Sequence, residues 1–309
     1  MTRQETNMRQ TIPVEKRVAI RLLRLAKGDS FNSISLSMGV GESTVVGICR
    51  DFENAVVALK DRYVVFPKTE LETAIEMDAF EEKYGIPQIL GVIDGSHIKI
   101  RAPFDCPEDY FDRKKDHSIT LQGIVNSSLE FIHASVGYPG SIHDARVMRL
   151  SGLFDDAENE RILTGPSRVL NGNAVRPLIA ADSAYPASNW LIKPFPSTAA
   201  MPRDHKRFNK KFSGMRVIVE RAFGILKGRW RILNETNYQT IDKIPNVTMA
   251  CVILHNFCIQ EKDELDEDFS RYEEPDNDNR DGDHEANARY GAVDVREAVF
   301  SHLSENGSL

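Results

Sequence analysis

Two short apolar runs, each closed by an aspartate, constrain this chain more than any other feature. Ile89-Leu90-Gly91-Val92-Ile93-Asp94 and Leu178-Ile179-Ala180-Ala181-Asp182 have the length and composition of buried strands. An acid at the end of a single strand is usually an exposed loop residue. Two such acids belong to a different arrangement if their strands are neighbours. Between the runs, His97-Ile98-Lys99-Ile100 continues the first strand in alternation. Ser118–Asn126 and Phe131–Tyr138, joined by Ser127-Ser128-Leu129-Glu130, then read as an antiparallel hairpin. Ser141–Leu150 predicts a helix, Phe212–Trp230 a long helix and Val247–Gln260 a second apolar one. Three strands, a helix, a fourth strand and further helices place the chain in the α/β class, with a mixed sheet flanked by helices.

The segment ahead of the sheet is helical. Pro13 suits a first-turn position, and Val18, Leu22 and Leu25 recur at helical spacing up to Gly28. Ser30 can cap a second helix. Gly39-Val40-Gly41-Glu42-Ser43 then turns into a third, with Val45, Ile48, Cys49 and Phe52 inward. This is the plan of a helix-turn-helix, whose second helix can enter the major groove. It would present Ser43, Thr44 and Arg50 outward, a sparse set for reading bases, so a packing module is the alternative. The expected division is a helix-turn-helix module over residues 1–60, a helical connector over 61–88, a catalytic α/β domain over 89–260 and an acidic tail over 261–309. The connector carries one helix, Leu71–Tyr84, and the tail a short one, Val293–Leu303.

Charge sharpens this division. The formal net charge of −7 conceals opposite halves. Residues 261–287 hold thirteen Asp and Glu against Lys262, Arg271 and Arg280, a local −10, so the remainder carries +3. From Arg203 to Arg231, ten Lys and Arg face Asp204 and Glu220, a local +8. Such a stripe matches a phosphate backbone, although charge runs are also ordinary solvated faces. The acidic stretch is polar, is expected to lack fixed structure, and could compete with DNA for the stripe. No apolar run is long enough to span a membrane, and the polar N-terminus has no secretory core. Cys49, Cys106, Cys251 and Cys258 form no CxxC pair, which favours a reducing compartment without structural zinc.

The candidate chemistry rests on carboxylates. Asp94 and Asp182 end core strands, and Glu220 lies on the long helix able to cover them. Three hard oxygen ligands so placed suit two Mg²⁺ or Mn²⁺ ions acting on a phosphodiester. Arg216, Glu220, Gly224, Lys227 and Arg231 share one helical face, so Glu220 is either a ligand among phosphate-binding neighbours or a member of simple ion pairs. Lys227, Arg229 and Arg231, with Arg216, are the expected backbone contacts. His97, His143 and Asp144 could also face the cleft, whereas His255 reads as a packed core histidine.

The motif blocks that carry these residues resemble a known family. They are Gly91-Val92-Ile93-Asp94-Gly95-Ser96-His97-Ile98, Tyr138-Pro139-Gly140-Ser141-Ile142-His143-Asp144, Ala181-Asp182-Ser183-Ala184-Tyr185-Pro186 and Val219–Trp230. In that order, with Arg113-Lys114, Phe208-Asn209 and Leu254-His255-Asn256 between and after them, they look like the PIF/Harbinger-type DDE superfamily endonucleases. The resemblance implies an RNase H-like fold behind a helix-turn-helix and an Asp94–Asp182–Glu220 triad that holds divalent metal and cleaves DNA. It also implies a separate Myb/SANT-like DNA-binding partner and a nuclear location, with the cytoplasm as second compartment, and it leaves a homo-oligomer open. The alternative is a domesticated transposase that has lost catalysis and serves as a DNA- or chromatin-associated adaptor. Ala181 and Ala184 stand where the family has glycine, so the Asp182 loop would be strained if either position needed a positive φ.

Overall fold

The structure, a computed structural model, describes residues 11–235, 240–263 and 294–309. From residue 264 onward, the acidic stretch 261–287 lies outside the described residues.

Three helices come first: α1 (Val14–Lys27), α2 (Phe31–Met38) and α3 (Glu42–Val57). Ser30 Oγ accepts from the Ser33 backbone N–H at the start of α2. Gly39, at φ 62°, ends that helix in the left-handed conformation glycine supplies without strain. A short α4 (Lys60–Tyr63) leads to α5 (Glu70–Tyr84), which opens on a Thr69/Glu72 capping box.

The sheet has five strands in the order β3-β2-β1-β6-β7: β1 (Ile89–Lys99), β2 (Ser118–Val125), β3 (Phe131–Pro139), β6 (Leu178–Ala180) and β7 (Leu191–Ile192). β1–β2 and β2–β3 are antiparallel, whereas β1–β6 and β6–β7 are parallel, so the sheet is mixed as expected. Between its halves lie α6 (Asp144–Leu150), α7 (Leu153–Glu158) and a small hairpin of β4 (Arg168–Leu170) and β5 (Asn173–Val175) that the sequence did not signal. After β7 come α8 (Arg203–Arg229), α9 (Ile244–Gln260) and α10 (Val295–Glu305). At 27 residues, α8 starts well before the expected Phe212, because Phe208 and Phe212 bury one face of its first half. No described helix is long and apolar enough to cross a membrane.

Each face of the sheet buries its own core. On one, Val92, Ile98, Leu121 and Ala180 meet Val219, Ala222 and Leu226 of α8 and Val247 and Cys251 of α9. On the other, Leu90, Ile93, Ile124 and Ile179 meet Met148, Leu153, Tyr185 and Trp190. A register shift between Ile89 and Gly91 lets Ile89 and Val92 point one way while Leu90 and Ile93 point the other.

The leading helices do not stand apart from the sheet. Ile20, Ile34, Val45, Ile48 and Cys49 form a small core between α1, α2 and α3, but Leu25, Phe52 and Val56 belong to the same core as β1 and α8. A buried ion pair joins α1 to α3: Arg21, 0% exposed, lies 2.5 Å from Glu53. Burial pushes the Glu53 carboxyl up against the opposing pull of Arg21 and Arg24. Removing one partner strands the other charge, so Glu53→Ala should cost about 3–5 kcal/mol, read as a loss in chemical denaturation. Replacing both ends, Arg21→Met with Glu53→Leu, should recover most of that loss. A single variant as stable as the wild type would show that the pair does not fix α1 to α3.

Candidate active site

β1 and β6 run parallel with Val92 opposite Ala180. Asp94 lies two residues beyond that pair on β1, on the strand face of Val92, and Asp182 lies two residues beyond the end of β6, close enough for its charge to raise the Asp94 carboxyl. Asp94 does not end its strand, as the sequence suggested. β1 continues to Lys99, and the acid sits where the parallel neighbour stops and the antiparallel partner, with Gly123 opposite, goes on. Arg216 of α8 reaches this point, its Nη2 3.4 Å from Asp94 Oδ2, with the two side chains 22% and 18% exposed. The Gly95 backbone N–H donates to Asp94 Oδ1.

The opposite face of β1 is equally close-packed. A Cβ on Gly95 would lie 2.3 Å from Asp144 Oδ1, so only glycine lets the first turn of α6 approach the strand here. Gln122, paired with Gly95 across β1–β2, donates from Nε2 to the Asp144 carbonyl oxygen and to the Tyr185 hydroxyl. Tyr185 is fully buried. Its phenol is pushed well above its ordinary range by burial first, and then by the Asp144, Asp94 and Asp182 charges. Asp182 stabilises its own loop, accepting at Oδ1 from the Ala184 N–H. Neither Ala181 nor Ala184 adopts a positive φ, so the methyl groups that replace the family's glycines impose no backbone strain.

Electrostatics identify which groups converge. Burial pushes the Asp94 carboxyl up to about 7; Arg216 opposes the rise, and Asp182 and Asp144 add to it. One guanidinium therefore does not offset desolvation and two like charges. Glu220 is exposed, one turn after Arg216, and is not among the charges acting most strongly on Asp94. Among the described residues, no group of three or more His, Cys, Asp or Glu side chains is arranged to hold a metal ion.

The remaining expected residues divide into two sets. Ser43, Thr44 and Arg50 are exposed on α3, and Arg231 is exposed beyond the end of α8. Lys227 is not: only 5% exposed, it donates to the His97 carbonyl oxygen and so ties α8 to β1. Arg229 pairs with the Asp263 carboxylate. Exposed cations of α8 lie in its first half, at Arg203, Lys206, Arg207 and Lys210, and at Arg221 next to Glu220. His97 shares a hydrogen bond with Ser118 Oγ at 3.0 Å, and His143 Nδ1 lies 3.4 Å from Arg113 Nη2. His255 is buried and bonds the Leu129 carbonyl oxygen, the packed role its sequence suggested. Gln122 was missed, although an amide side chain in the middle of the strand Ser118–Asn126 was the available signal.

A family model described as DDE superfamily endonuclease matches residues 93–256. Among curated proteins, the chain is 34% identical over 261 residues to protein antagonist of like heterochromatin protein 1 of Arabidopsis thaliana, covering 83% of this chain and 65% of that protein. It is 29% identical over 262 residues to the Arabidopsis protein ALP1-like, covering 83% and 63%. It is 23% identical over 260 residues to the Homo sapiens protein named "Putative nuclease HARBI1", covering 82% and 70%. The chain thus spans a little under two thirds of the two plant relatives. No solved structure matches it.

The Asp94 environment has a measurable consequence. A carboxyl raised from 3.8 to about 7 binds a proton more tightly folded than unfolded, so stability falls as pH rises between those values and is level above them. Asp94→Asn removes this penalty. It should stabilise the protein above about pH 7 by at most roughly 4 kcal/mol, at 1.36 kcal/mol per unit. The gain should shrink to nothing near pH 4. Thermal melts across that range would show it, and a gain independent of pH would refute the assignment.

Proposed function

The chain belongs to the DDE superfamily endonuclease family, and on that premise we propose that it is a metal-dependent nuclease cutting DNA phosphodiesters at the Asp94–Asp182 junction. The observation that supports this reading is the parallel pairing of β1 with β6, with Asp94 and Asp182 both inside the segment the family model matches and close enough for the Asp182 charge to raise the Asp94 carboxyl. Their chemistry fits a divalent cation. They are hard oxygen donors, mutually repelling and partly withdrawn from water, and Arg216 offsets that repulsion only in part. Asp94 and Asp182 would hold the metal, two ions in the full reading, and Glu220 would supply the third carboxylate from the edge of α8. A divalent metal bound there would supply Lewis acidity for water and for the departing 3′ oxygen.

The chain's own residues keep that site in place. Lys227 anchors α8 to β1, and the Gln122–Tyr185 bond fixes the Asp182 loop against the sheet. The strand order, with β1 central and β2–β3 antiparallel beside it, supports an RNase H-like assignment. The exposed Ser43, Thr44 and Arg50 support a helix-turn-helix that contacts DNA, in a protein acting in the nucleus beside a Myb/SANT-like partner.

A second reading is favoured by one observation: Glu220 faces solvent and no three-ligand group is assembled among the described residues. The chain would then be a silent adaptor, in keeping with a relative named for antagonism of a heterochromatin protein rather than for cleavage. Nicking of supercoiled plasmid separates the two. The nuclease requires nicking with Mg²⁺ or Mn²⁺ that is abolished by a chelator and lowered about a hundredfold or more by Asp94→Asn, Asp182→Asn or Glu220→Gln, with DNA affinity kept. Loss with Asp144→Asn but not with Glu220→Gln would move the third ligand to α6. Absence of nicking with either metal would leave the adaptor.

A further inference from the structure

The loop between β1 and β2, residues 100–117, has no assigned role, yet it is built as a rigid arm. Eighteen residues with a single 3₁₀ turn (Pro107–Tyr110) would be unusual as mere connection. Its base is closed by the Ile100 N–H donating to the His117 carbonyl oxygen, by the Phe111 ring tilted against His117 with centroids 4.2 Å apart, and by a 2.7 Å ion pair between Lys99 and Asp116. Asp112 Oδ1 accepts from the Lys114 and Asp116 N–H groups and holds the turn that exposes Arg113, Lys114 and Lys115.

The arm is joined to the candidate site. Ser141 Oγ donates to the Asp109 carbonyl oxygen at 2.6 Å, and Arg113 lies 3.4 Å from His143, the residue before Asp144. Asp144 in turn abuts Gly95, next to Asp94. At the free end is Phe104, 100% exposed. Pro103 precedes it and Pro107 follows three residues later, fixing φ at two points around the tip. The loop as a whole carries four cations against five acids, so the contact is argued from placement: an aromatic ring that the fold does not bury offers a π-face for a base, and the exposed run Arg113-Lys114-Lys115 offers charges for phosphates, while Asp112 is taken up by its own turn and Asp116 by Lys99.

We propose that this loop is a DNA-contacting arm in which Phe104 stacks on a base unpaired beside the cleavage point while Arg113, Lys114 and Lys115 hold the adjoining backbone. The inference rests on the nuclease reading for its substrate, but its test does not depend on cleavage. Trp190 and Trp230 are the chain's two tryptophans and both are buried, so Phe104→Trp adds the one exposed indole. Its fluorescence should be quenched when the full-length variant binds a short duplex carrying a single-stranded gap, and much less with the intact duplex. Phe104→Ala should weaken binding to the gapped duplex roughly five- to hundredfold, the range for losing one stacked base, and leave intact-duplex affinity nearly unchanged. The arm is overturned if Phe104→Trp shows no gap-dependent quenching, if Phe104→Ala binds gapped DNA as the wild type does, or if the wild type binds neither duplex. Plasmid nicking without gap-dependent stacking would reject the arm alone. Stacking without nicking would reject the nuclease alone.

Discussion

Parallel pairing of β1 with β6 is the constraint on which the rest of the site depends. Two strands separated by the β2–β3 hairpin and two helices bring the chain segments of their aspartates together only if they run in the same direction. A slip of one residue would turn the side chains of one strand to the opposite face of the sheet. The cost of the arrangement is electrostatic. Asp94 is partly withdrawn from water beside Asp182 and Asp144, and Arg216 offsets only part of the rise in its pKa. Removing that charge would favour the fold, which is why its presence argues for a role in chemistry rather than in packing.

The close approaches around β1 follow from the same requirement. Gly95 admits Asp144 from one side. Opposite Asp94, a Cβ on Gly123 would strike the Phe131 ring at 2.8 Å and meet Phe223 of α8 at 3.4 Å. Glycine at paired or adjacent positions weakens a strand in isolation. Here it lets helices on both faces come near enough to deliver Arg216 and Asp144 to one point. The antiparallel β2–β3 hairpin, long and buried on its β2 side, supplies the stability that these glycines and short β6 do not.

Much of this was legible in the sequence because it is local. The apolar runs gave β1 and β6 their acids, alternation and turn residues gave the β2–β3 hairpin, and capping residues and glycines gave α1, α2 and α5. What failed was long-range. Helical spacing put Lys227 on the face of Arg216 and Glu220, and the local charge made the two cations look like phosphate contacts beside a metal-ligating Glu220. In the fold, that side of α8 turns toward β1 as the helix proceeds, so Lys227 is buried on His97 while Glu220 stays at the edge. Asp144 was visible as an acid in the Tyr138–Asp144 block that could face the cleft, but its neighbour there was not. Its contact with Gly95 spans 49 residues of sequence, and nothing local specifies it. Gln122 was hidden among other polar residues of its strand: Ser118, Thr120 and Gln122 alternate along β2, and only the fold shows that the third bridges to Tyr185.

The helical segment at the start adds a mechanical consequence. Phe52 and Val56 share the core of β1 and α8, and Arg21 and Glu53 lock α1 to α3 beneath them, so α3 cannot swing independently of the sheet. Ser43, Thr44 and Arg50 are therefore held at a fixed offset from Asp94. If α3 enters a groove of DNA and the proposed cleavage takes place at Asp94, the distance between the two points is set by packing and not by a flexible linker. Such a chain would choose its cleavage position geometrically, with the few polar groups of α3 placing the duplex and the β1–β2 arm meeting whichever base that placement presents.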